Sequence, residues 1–440
     1  MSLYIPTADQ QFTKLKAFRQ AAYGCLGNAC DAQFELTDAV MVTPAANSYV
    51  ELSLAPVFRR SWCSAYEAME DGRPDREALL RLYTAHLPTT PRPILAGDHT
   101  AWPRLSARTL RERTIEHQPT KVPGNKPITV GHGFSTLAYI PEQAGSWALP
   151  LLHERITPAE TPIEKGVSQL RRVCEQLPVR PISLWDSEYG CAPFVKASAD
   201  IPADKVLRLR PNRCLYGPPP PYSGTGRPRV HGARFNLKDP ATWHPPDAGL
   251  EVEDPQLGRV RLSMWRNLHF KQSPQHPMIV MRVERLEARG TRRDPKALWL
   301  AWVGQEPPPL NEWWQLYLRR FTLEHWYRFT KQRLYWTLPR FGTPEQAERW
   351  SDLMPLITWE LWLARDIVVD NPLPWQKPQT NLTPGRVCQG MGGILAVIGT
   401  PAQAPKPRGK SPGWPNGRPR RRRERYRVVK KGQKRKKKAT

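Results

Sequence analysis

Residues 93–98 read PILAGD and residues 181–186 read PISLWD, two mostly apolar runs that each end in an aspartate. Short apolar runs bounded by proline and a polar residue are typical of buried β-strands. Neighbouring segments continue the alternation, with strand-like runs at 127–141, 146–156 and 205–210 and helical spacing at 162–176. This pattern predicts an α/β fold in which helices flank a mixed sheet.

The sequence changes character on both sides of this region. Residues before 90 have apolar positions at helical spacing, residues 211–257 are rich in proline and glycine, and strand-like runs return after residue 258. We therefore predict five segments: a helical domain at 1–90, the first part of the core at 91–210, a β-rich insertion at 211–310, core helices at 311–372, and a loose C-terminal segment with a disordered basic tail at 373–440.

The charge of the chain points to a polyanionic partner. The 440 residues include 66 Lys and Arg against 40 Asp and Glu, a formal net charge of +26. Residues 401–440 hold 17 of the basic side chains and one acidic side chain, Glu424. A basic tail of this kind adds salt-dependent, sequence-independent affinity for nucleic acid.

The cysteines and the apolar segments bear on localisation. Seven scattered cysteines, of which Cys25 and Cys30 are closest, lack the spacing of a zinc site and are typical of reduced thiols. The first residues do not resemble a signal peptide, and the apolar run 391–399 is far shorter than a membrane span. We expect a cytoplasmic protein with no membrane partner.

One predicted helix, at about 311–336, carries a stripe of polar side chains. At about 100° per residue, Tyr317, Arg320, Glu324 and Lys331 project within one narrow arc. A carboxylate flanked by two cations and a phenol is suited to a metal-bound phosphodiester, whose oxygens need positive partners. The same spacing also fits an ordinary solvated helix face.

Two aspartates could complete such a site. Asp98 and Asp186 each end a predicted strand and would lie at the carboxyl edge of the sheet, although each could equally be a turn or helix cap. With Glu324 they would supply three carboxylates, the ligand type for two hard cations. Glu188 competes for the second position, but the turn residues Ser187 and Gly190 favour Asp186.

The spacing Tyr317-x2-Arg320-x3-Glu324-x6-Lys331 resembles the signature of the YREK class of bacterial insertion-sequence transposases. The order Asp98, Asp186, Glu324, with the β-rich insertion before the glutamate, is similar to the DDE catalytic core of that class. The resemblance covers about residues 90–370 and implies an RNase H-like fold.

In this resemblance Asp98, Asp186 and Glu324 are the catalytic residues and hold two Mg²⁺ ions, for which Mn²⁺ can substitute. Arg320 and Lys331 would contact DNA phosphates.

Tyr317 would contact the terminal nucleotides. His99 and Thr100 would support the first carboxylate or form a turn.

The resemblance implies cut-and-paste transposition by a DDE transposase, acting as a homodimer or larger complex on double-stranded DNA at paired transposon ends and at the target. Residues 1–90 would recognise the ends, and the protein would be bacterial and associated with the nucleoid. Two alternatives remain open: a non-catalytic nucleic-acid-binding protein derived from such a transposase, and a nuclease without strand transfer.

Overall fold

A computed structural model describes residues 8–117, 127–255, 257–287, 296–407 and 422–432, together with Gly413, Gly417 and Pro419. The described residues form a large mixed sheet with helices packed against it. This architecture confirms the predicted α/β fold class and is consistent with an RNase H-like core.

Twelve strands make up the sheet in the described part of the chain. They are β1 (Ile94–Pro103), β2 (Thr114–His117), β3 (Ile128–Tyr139), β4 (Leu149–Ile156), β5 (Ile182–Trp185), β6 (Asp204–Leu209), β7 (Cys214–Tyr216), β8 (Arg234–Asn236), β9 (Ala248–Asp254), β10 (Gly258–Phe270), β11 (Met278–Arg285) and β12 (Leu298–Val303). Their order is β2-β3-β1-β5-β6-β12-β11-β10-β7-β8, with β4 paired to β3 and β9 to β10.

The helices surround this sheet. They are α1 (Ala8–Gly24), α2 (Cys30–Val42), α3 (Trp62–Asp71), α4 (Arg76–Ala85), α5 (Pro162–Gln176), α6 (Ala192–Ala197), α7 (Leu310–Leu318), α8 (Phe321–Gln332), α9 (Pro344–Ala364) and α10 (Pro384–Ile398). None of the helices in the described ranges combines the length and the apolar character that crossing a bilayer requires.

Strand β1 lies between β3 and β5 in the sheet and is longer than its sequence suggests. It pairs in parallel with β5 only up to Gly97, opposite Trp185, and then continues against antiparallel β3 as far as Pro103. The prediction that the first strand ends at Asp98 is therefore wrong. Asp98 lies inside the strand, at the point where the parallel pairing stops.

The insertion extends the core sheet. Strand β12 pairs with β6, and β11 and β10 follow outward from it. Within the proline- and glycine-rich residues 211–257, β7, β8 and β9 pair with their neighbours. The rings of Phe235, Trp265 and Trp299 pack against one another, and this aromatic cluster joins the insertion to the hydrophobic core of the molecule.

The N-terminal helices pack onto α9. A capping box formed by Thr343 begins α9, and most of its length is buried against β4, α1, α3 and α10. On its buried face Glu360 pairs with Arg19 of α1, which also donates to Asp38 of α2 at 2.9 Å. These buried ions link three helices across the same hydrophobic core.

The predicted helix at about 311–336 is two helices. Helix α7 ends at Leu318 and α8 begins at Phe321, because the backbone changes to i to i+3 hydrogen bonds around Arg320. The single helical projection therefore does not extend across the junction, and Tyr317 lies on a different helix from Glu324.

The C-terminal region is more structured than we expected. Helix α10 packs against α2 and α9 and buries an apolar face at helical spacing, although it contains several glycines. Within the described part of the tail, the backbone amides of Tyr426, Val429 and Gly432 donate to the carbonyls of Arg108, Arg113 and Pro158. The expected disorder is therefore wrong for residues 426–432, which dock beside β2.

Candidate active site

The two aspartates lie on neighbouring chain segments, at the point where the parallel pairing of β1 and β5 ends. Asp98 and Asp186 directly follow Gly97 and Trp185, the last residues that pair between parallel strands β1 and β5. Glycine is needed at position 97 because a Cβ there would lie 2.1 Å from the Trp185 ring. The close packing of Gly97 and Trp185 fixes the positions of Asp98 and Asp186, the residues that follow them in the chain.

Asp186 begins a tight turn. Its Oδ1 accepts a hydrogen bond from the Glu188 backbone amide at 2.9 Å. One carboxylate oxygen of Asp186 therefore caps the turn, as one of the two interpretations of this residue predicts. The Glu188 carboxylate pairs with Arg210 at 3.2 Å. The structure thus gives Glu188 a partner outside the group formed by Asp98 and Asp186.

Asp98 receives hydrogen bonds on both carboxylate oxygens. The His99 backbone amide donates to Oδ1 at 2.8 Å, and the Arg320 guanidinium donates to Oδ2 at 2.9 Å. Burial raises the pKa of Asp98 above its ordinary value, Arg320 opposes that rise, and the neighbouring charge of Asp186 adds to it.

Arg320 connects the sheet to α8. Its guanidinium also donates to Glu324 Oε1 at 2.5 Å and lies 5.8 Å from the ring centre of Tyr317 and 5.3 Å from that of Phe321. Only 4% of the Arg320 side chain is exposed, whereas 46% of the Glu324 side chain is exposed. Glu324 is therefore the part of this ion network that a large substrate can reach.

Lys331 approaches the same strand two turns beyond Glu324 on α8. Its Nζ donates to the Thr100 hydroxyl at 2.7 Å. Burial lowers the pKa of Lys331 to about 8, while the charge of Asp98 acts to raise it. Arg320 and Lys331 thus place two cations along β1, one at the Asp98 carboxylate and one at the Thr100 hydroxyl.

The sequence patterns did not identify Tyr327, whose hydroxyl contacts the Asp98 backbone. The Tyr327 hydroxyl lies 3.0 Å from the Asp98 carbonyl oxygen and 2.8 Å from the Thr136 hydroxyl, which contacts His153 Nδ1 at 2.8 Å. Tyr327 lies three residues after Glu324, so its helical spacing could have identified it. Burial raises the pKa of Tyr327 well above its ordinary value, and its hydroxyl remains protonated.

The structure thus brings together Asp98, Arg320, Glu324 and Lys331, places Asp186 beside Asp98, and buries Tyr317 beneath Arg320. Burial raises the pKa of the Tyr317 hydroxyl.

The carboxylates suit a divalent metal by donor type. Asp98, Asp186 and Glu324 offer the hard oxygen ligands that Mg²⁺ and Mn²⁺ prefer. Across the residues that the structure describes, however, no three His, Cys, Asp or Glu side chains converge closely enough to hold an ion. Arg320 supplies the positive charge between Asp98 and Glu324 instead, and it would have to release one of them for the carboxylates to share a metal.

Comparison with known protein families matches residues 22–269 to the family described as DDE superfamily endonuclease. The match covers more than half of the chain. The chain belongs to the DDE superfamily endonuclease family. The matched region of this DDE endonuclease contains Asp98 and Asp186 and ends before Glu324. Comparison with curated proteins gives no match.

Membership in this family bears on the predicted partner and on the predicted type of cofactor. DDE endonucleases act on DNA and generally use divalent metal ions, which agrees with the predicted partner and type of cofactor. The match describes neither the YREK class, the identity of the metal, nor the oligomeric state.

Proposed function

We propose that this DDE endonuclease is a cut-and-paste transposase of the YREK class, which cuts DNA at the ends of a mobile element and joins the freed 3′ ends to target DNA. The observation that supports this most directly is the ion network of Asp98, Arg320 and Glu324 beside Asp186. A carboxylate on each of two parallel strands and one on a facing helix is the set that the predicted chemistry requires.

In this proposal Asp98, Asp186 and Glu324 hold two Mg²⁺ ions, or Mn²⁺ in their place. When bound, the ions supply Lewis acidity to the attacking water or 3′-hydroxyl and to the leaving oxygen. Tyr327 keeps the Asp98 backbone in position. The exposure of Glu324 lets the DNA backbone reach the site from solvent.

Arg320 and Lys331 bind phosphate oxygens near the cleaved bond, because each is a cation that already faces β1. Tyr317 positions Arg320 through ring contact. A contact between Tyr317 and the terminal nucleotides, as the resemblance implies, would require its buried ring to become accessible.

The proposed protein acts on double-stranded DNA as a homodimer or larger complex on paired ends, in the cytoplasm at the nucleoid. The helices within residues 1–90 would read the ends of the element. Their exposed aromatic residue Trp62 lies on α3, away from the buried face that packs against α9.

A non-catalytic DNA-binding protein is the second candidate, and one observation favours it. Arg320 pairs with both Asp98 and Glu324, so these two carboxylates already share a cationic partner within the protein. Under this alternative the carboxylates are structural, and their removal would leave every activity on DNA unchanged.

A plasmid excision assay tests the proposal. The DNA that flanks the gene is placed around a marker, and Mg²⁺-dependent excision is scored for wild type, Glu324→Gln and Glu188→Gln. We expect Glu324→Gln to lose at least about 100-fold in excision, the scale on which one electrostatic partner of a transition state acts. DNA binding is measured in parallel.

Glu188→Gln is the matched control because it removes a half-exposed carboxylate that pairs with Arg210. It should excise like wild type. Equal excision by wild type and Glu324→Gln would contradict the assignment of Glu324. DNA binding by all three proteins, with excision by none of them, would favour the non-catalytic alternative.

A further inference from the structure

A basic cavity of about 590 Å³ lies at the far end of β1 from the candidate active site. Three arginines line it, Arg104, Arg340 and Arg423, and none of its lining residues is acidic. Hydroxyl groups of Ser106, Thr109 and Thr337 line it as well. A concave surface with three guanidinium groups and several hydroxyl donors suits phosphate oxygens.

No carboxylate of the described residues lines this cavity. Arg104 donates to the carbonyls of Pro339 and Phe341, at 3.1 and 3.0 Å, and these are neutral acceptors. Burial lowers the pKa of Arg104, and the like charges of Arg340 and Arg113 lower it further. Across the described residues neither Arg340 nor Arg423 forms an ion pair with a carboxylate. An anionic ligand would therefore relieve repulsion in this cavity.

The C-terminal segment 422–432 brings Arg423 to the cavity. Three backbone hydrogen bonds hold this segment beside β2, and the Lys431 ammonium pairs with buried Glu116 at 2.6 Å. Gly133 on β3 leaves room for that pair, because a Cβ there would lie 2.7 Å from the Glu116 carboxylate and 2.8 Å from Lys431 Nζ. Arg423 in turn lies against Gly342, at the start of α9.

The cavity is aligned with the candidate active site. Six residues of extended chain separate Asp98 from Arg104, which corresponds to about 20 Å. Lys331 contacts Thr100 between them, and the loop from α8 to α9 carries Arg340 along the same side of β1. Cations therefore follow β1 from Arg320 to Arg423.

We propose that this cavity binds the sugar–phosphate backbone of duplex DNA at about six base pairs from the bond that is cut, and that segment 422–432 completes it. This inference deepens the proposed function, on which it rests for the position of the cut. A DNA backbone is the phosphate source that accounts for a continuous line of cations leading to Asp98, because a free phosphate would occupy only the cavity.

The test measures binding of duplex DNA of arbitrary sequence, without divalent metal and in a Glu324→Gln background, over a range of KCl concentrations. We expect Arg340→Ala and Arg423→Ala each to weaken binding about tenfold at physiological salt and to reduce the salt slope by about one. Arg340→Lys should keep the slope, because it keeps the charge.

Arg171→Ala is the matched control. It removes one arginine charge on α5, where Arg171 pairs with Asp200. Its affinity and salt slope should stay at the parent values. Equal effects of Arg171→Ala, Arg340→Ala and Arg423→Ala would overturn the proposal, since binding would then follow net charge alone. Binding of inorganic phosphate that Arg340→Ala and Arg423→Ala abolish, with DNA affinity unchanged in both variants, would also overturn it, by identifying a free phosphate as the ligand.

A second variant isolates the role of the segment. Glu116→Gln makes the protein more positive but removes the partner of Lys431. We expect this variant to bind DNA more weakly, towards the affinity of Arg423→Ala, with thermal unfolding used to verify its fold. Tighter binding would show that segment 422–432 does not complete the cavity. Because cleavage is not measured, these outcomes are independent of whether the protein is a transposase.

Discussion

At the scale of single residues, Arg320 determines the electrostatics of the candidate site. Helical spacing predicted that Arg320 and Glu324 share a face, and their 2.5 Å contact confirms it. The bond from Arg320 to Asp98 crosses 222 residues of sequence, so no local pattern could have predicted it. The same holds for Lys331 and Thr100. The sequence identified residues of the right chemistry, but their pairing depends on how α8 packs on β1.

Lys331 gives the proposed DNA interaction a pH dependence. Its pKa is lowered to about 8, so the free protein loses this cation as the pH rises through about 8, whereas an ordinary lysine stays charged to above pH 10. We expect DNA affinity in the Glu324→Gln protein to fall between about pH 7 and pH 9. Fluorescence anisotropy at constant ionic strength measures this.

Lys331→Arg is the control, because a guanidinium keeps its charge through this range. Its affinity should be nearly independent of pH. The pKa of Lys205 is also lowered to about 8, but Lys205 lies on β6, and its side chain donates to the Ser198 carbonyl at the end of α6. A pH dependence that persists in Lys331→Arg and disappears in Lys205→Arg would contradict the assignment to Lys331.

We expect the hydrogen bonds of the Tyr327 hydroxyl to make a measurable contribution to stability. Tyr327→Phe leaves the ring in place but removes the hydrogen bonds at the Asp98 carbonyl and the Thr136 hydroxyl, which are buried. We expect the free energy of unfolding to fall by about 1 to 3 kcal/mol, as measured by urea denaturation. Tyr83→Phe is the matched control, since the buried Tyr83 hydroxyl has no hydrogen-bond partner among the described residues. Equal losses in both variants would show that the Tyr327 bonds contribute nothing.

At the scale of elements, the helices show where sequence patterns succeed and fail. The helical spacing predicted before residue 90 corresponds to helices such as α1 and α4. Helix α10 was missed because its glycines lower local helix propensity, while burial against α2 and α9 stabilises it. The junction between α7 and α8 was missed because no proline or glycine marks it.

The link between α1, α2 and α9 rests on buried charge. Arg19→Met would leave the Asp38 and Glu360 carboxylates buried without their cation, and we expect a loss of about 3 to 5 kcal/mol in the free energy of unfolding. Arg365→Met is the control: it breaks a half-exposed pair with Glu142, and its loss should stay below about 1 kcal/mol.

The loss should also depend on pH. Burial raises the pKa of Glu360 to about 7, and Arg19 opposes that rise. A carboxyl whose folded pKa exceeds its unfolded value binds more protons when folded, so stability falls as the pH rises through that range. Without Arg19 this fall extends to higher pH, and Arg19→Met should lose more stability at about pH 8 than at about pH 5. Urea denaturation at the two values measures this, and a pH-independent loss would contradict it.

At the scale of the whole molecule, residues 426–432 pack against a strand from the first third of the chain. Apolar runs predicted β1, β5 and β6 because buried strands are encoded locally. The docking of residues 426–432 beside β2 was not predictable, since an arginine- and lysine-rich segment has the composition of a disordered tail. What orders it is a buried carboxylate, Glu116, supplied by a strand more than 300 residues earlier.

Metal binding is a whole-molecule property, because a ligand that binds only the folded chain stabilises all of it. If Asp98, Asp186 and Glu324 hold divalent ions, Mn²⁺ at about 100 times its dissociation constant should raise the free energy of unfolding by about 2.7 kcal/mol. Asp98→Asn should abolish the gain, whereas Glu188→Gln should retain it because Glu188 pairs with Arg210 instead. Chemical denaturation with and without Mn²⁺ measures the difference at constant ionic strength. A gain that survives in Asp98→Asn would place the metal elsewhere, and no gain in the wild type would leave Arg320 as the cation that Asp98 and Glu324 share.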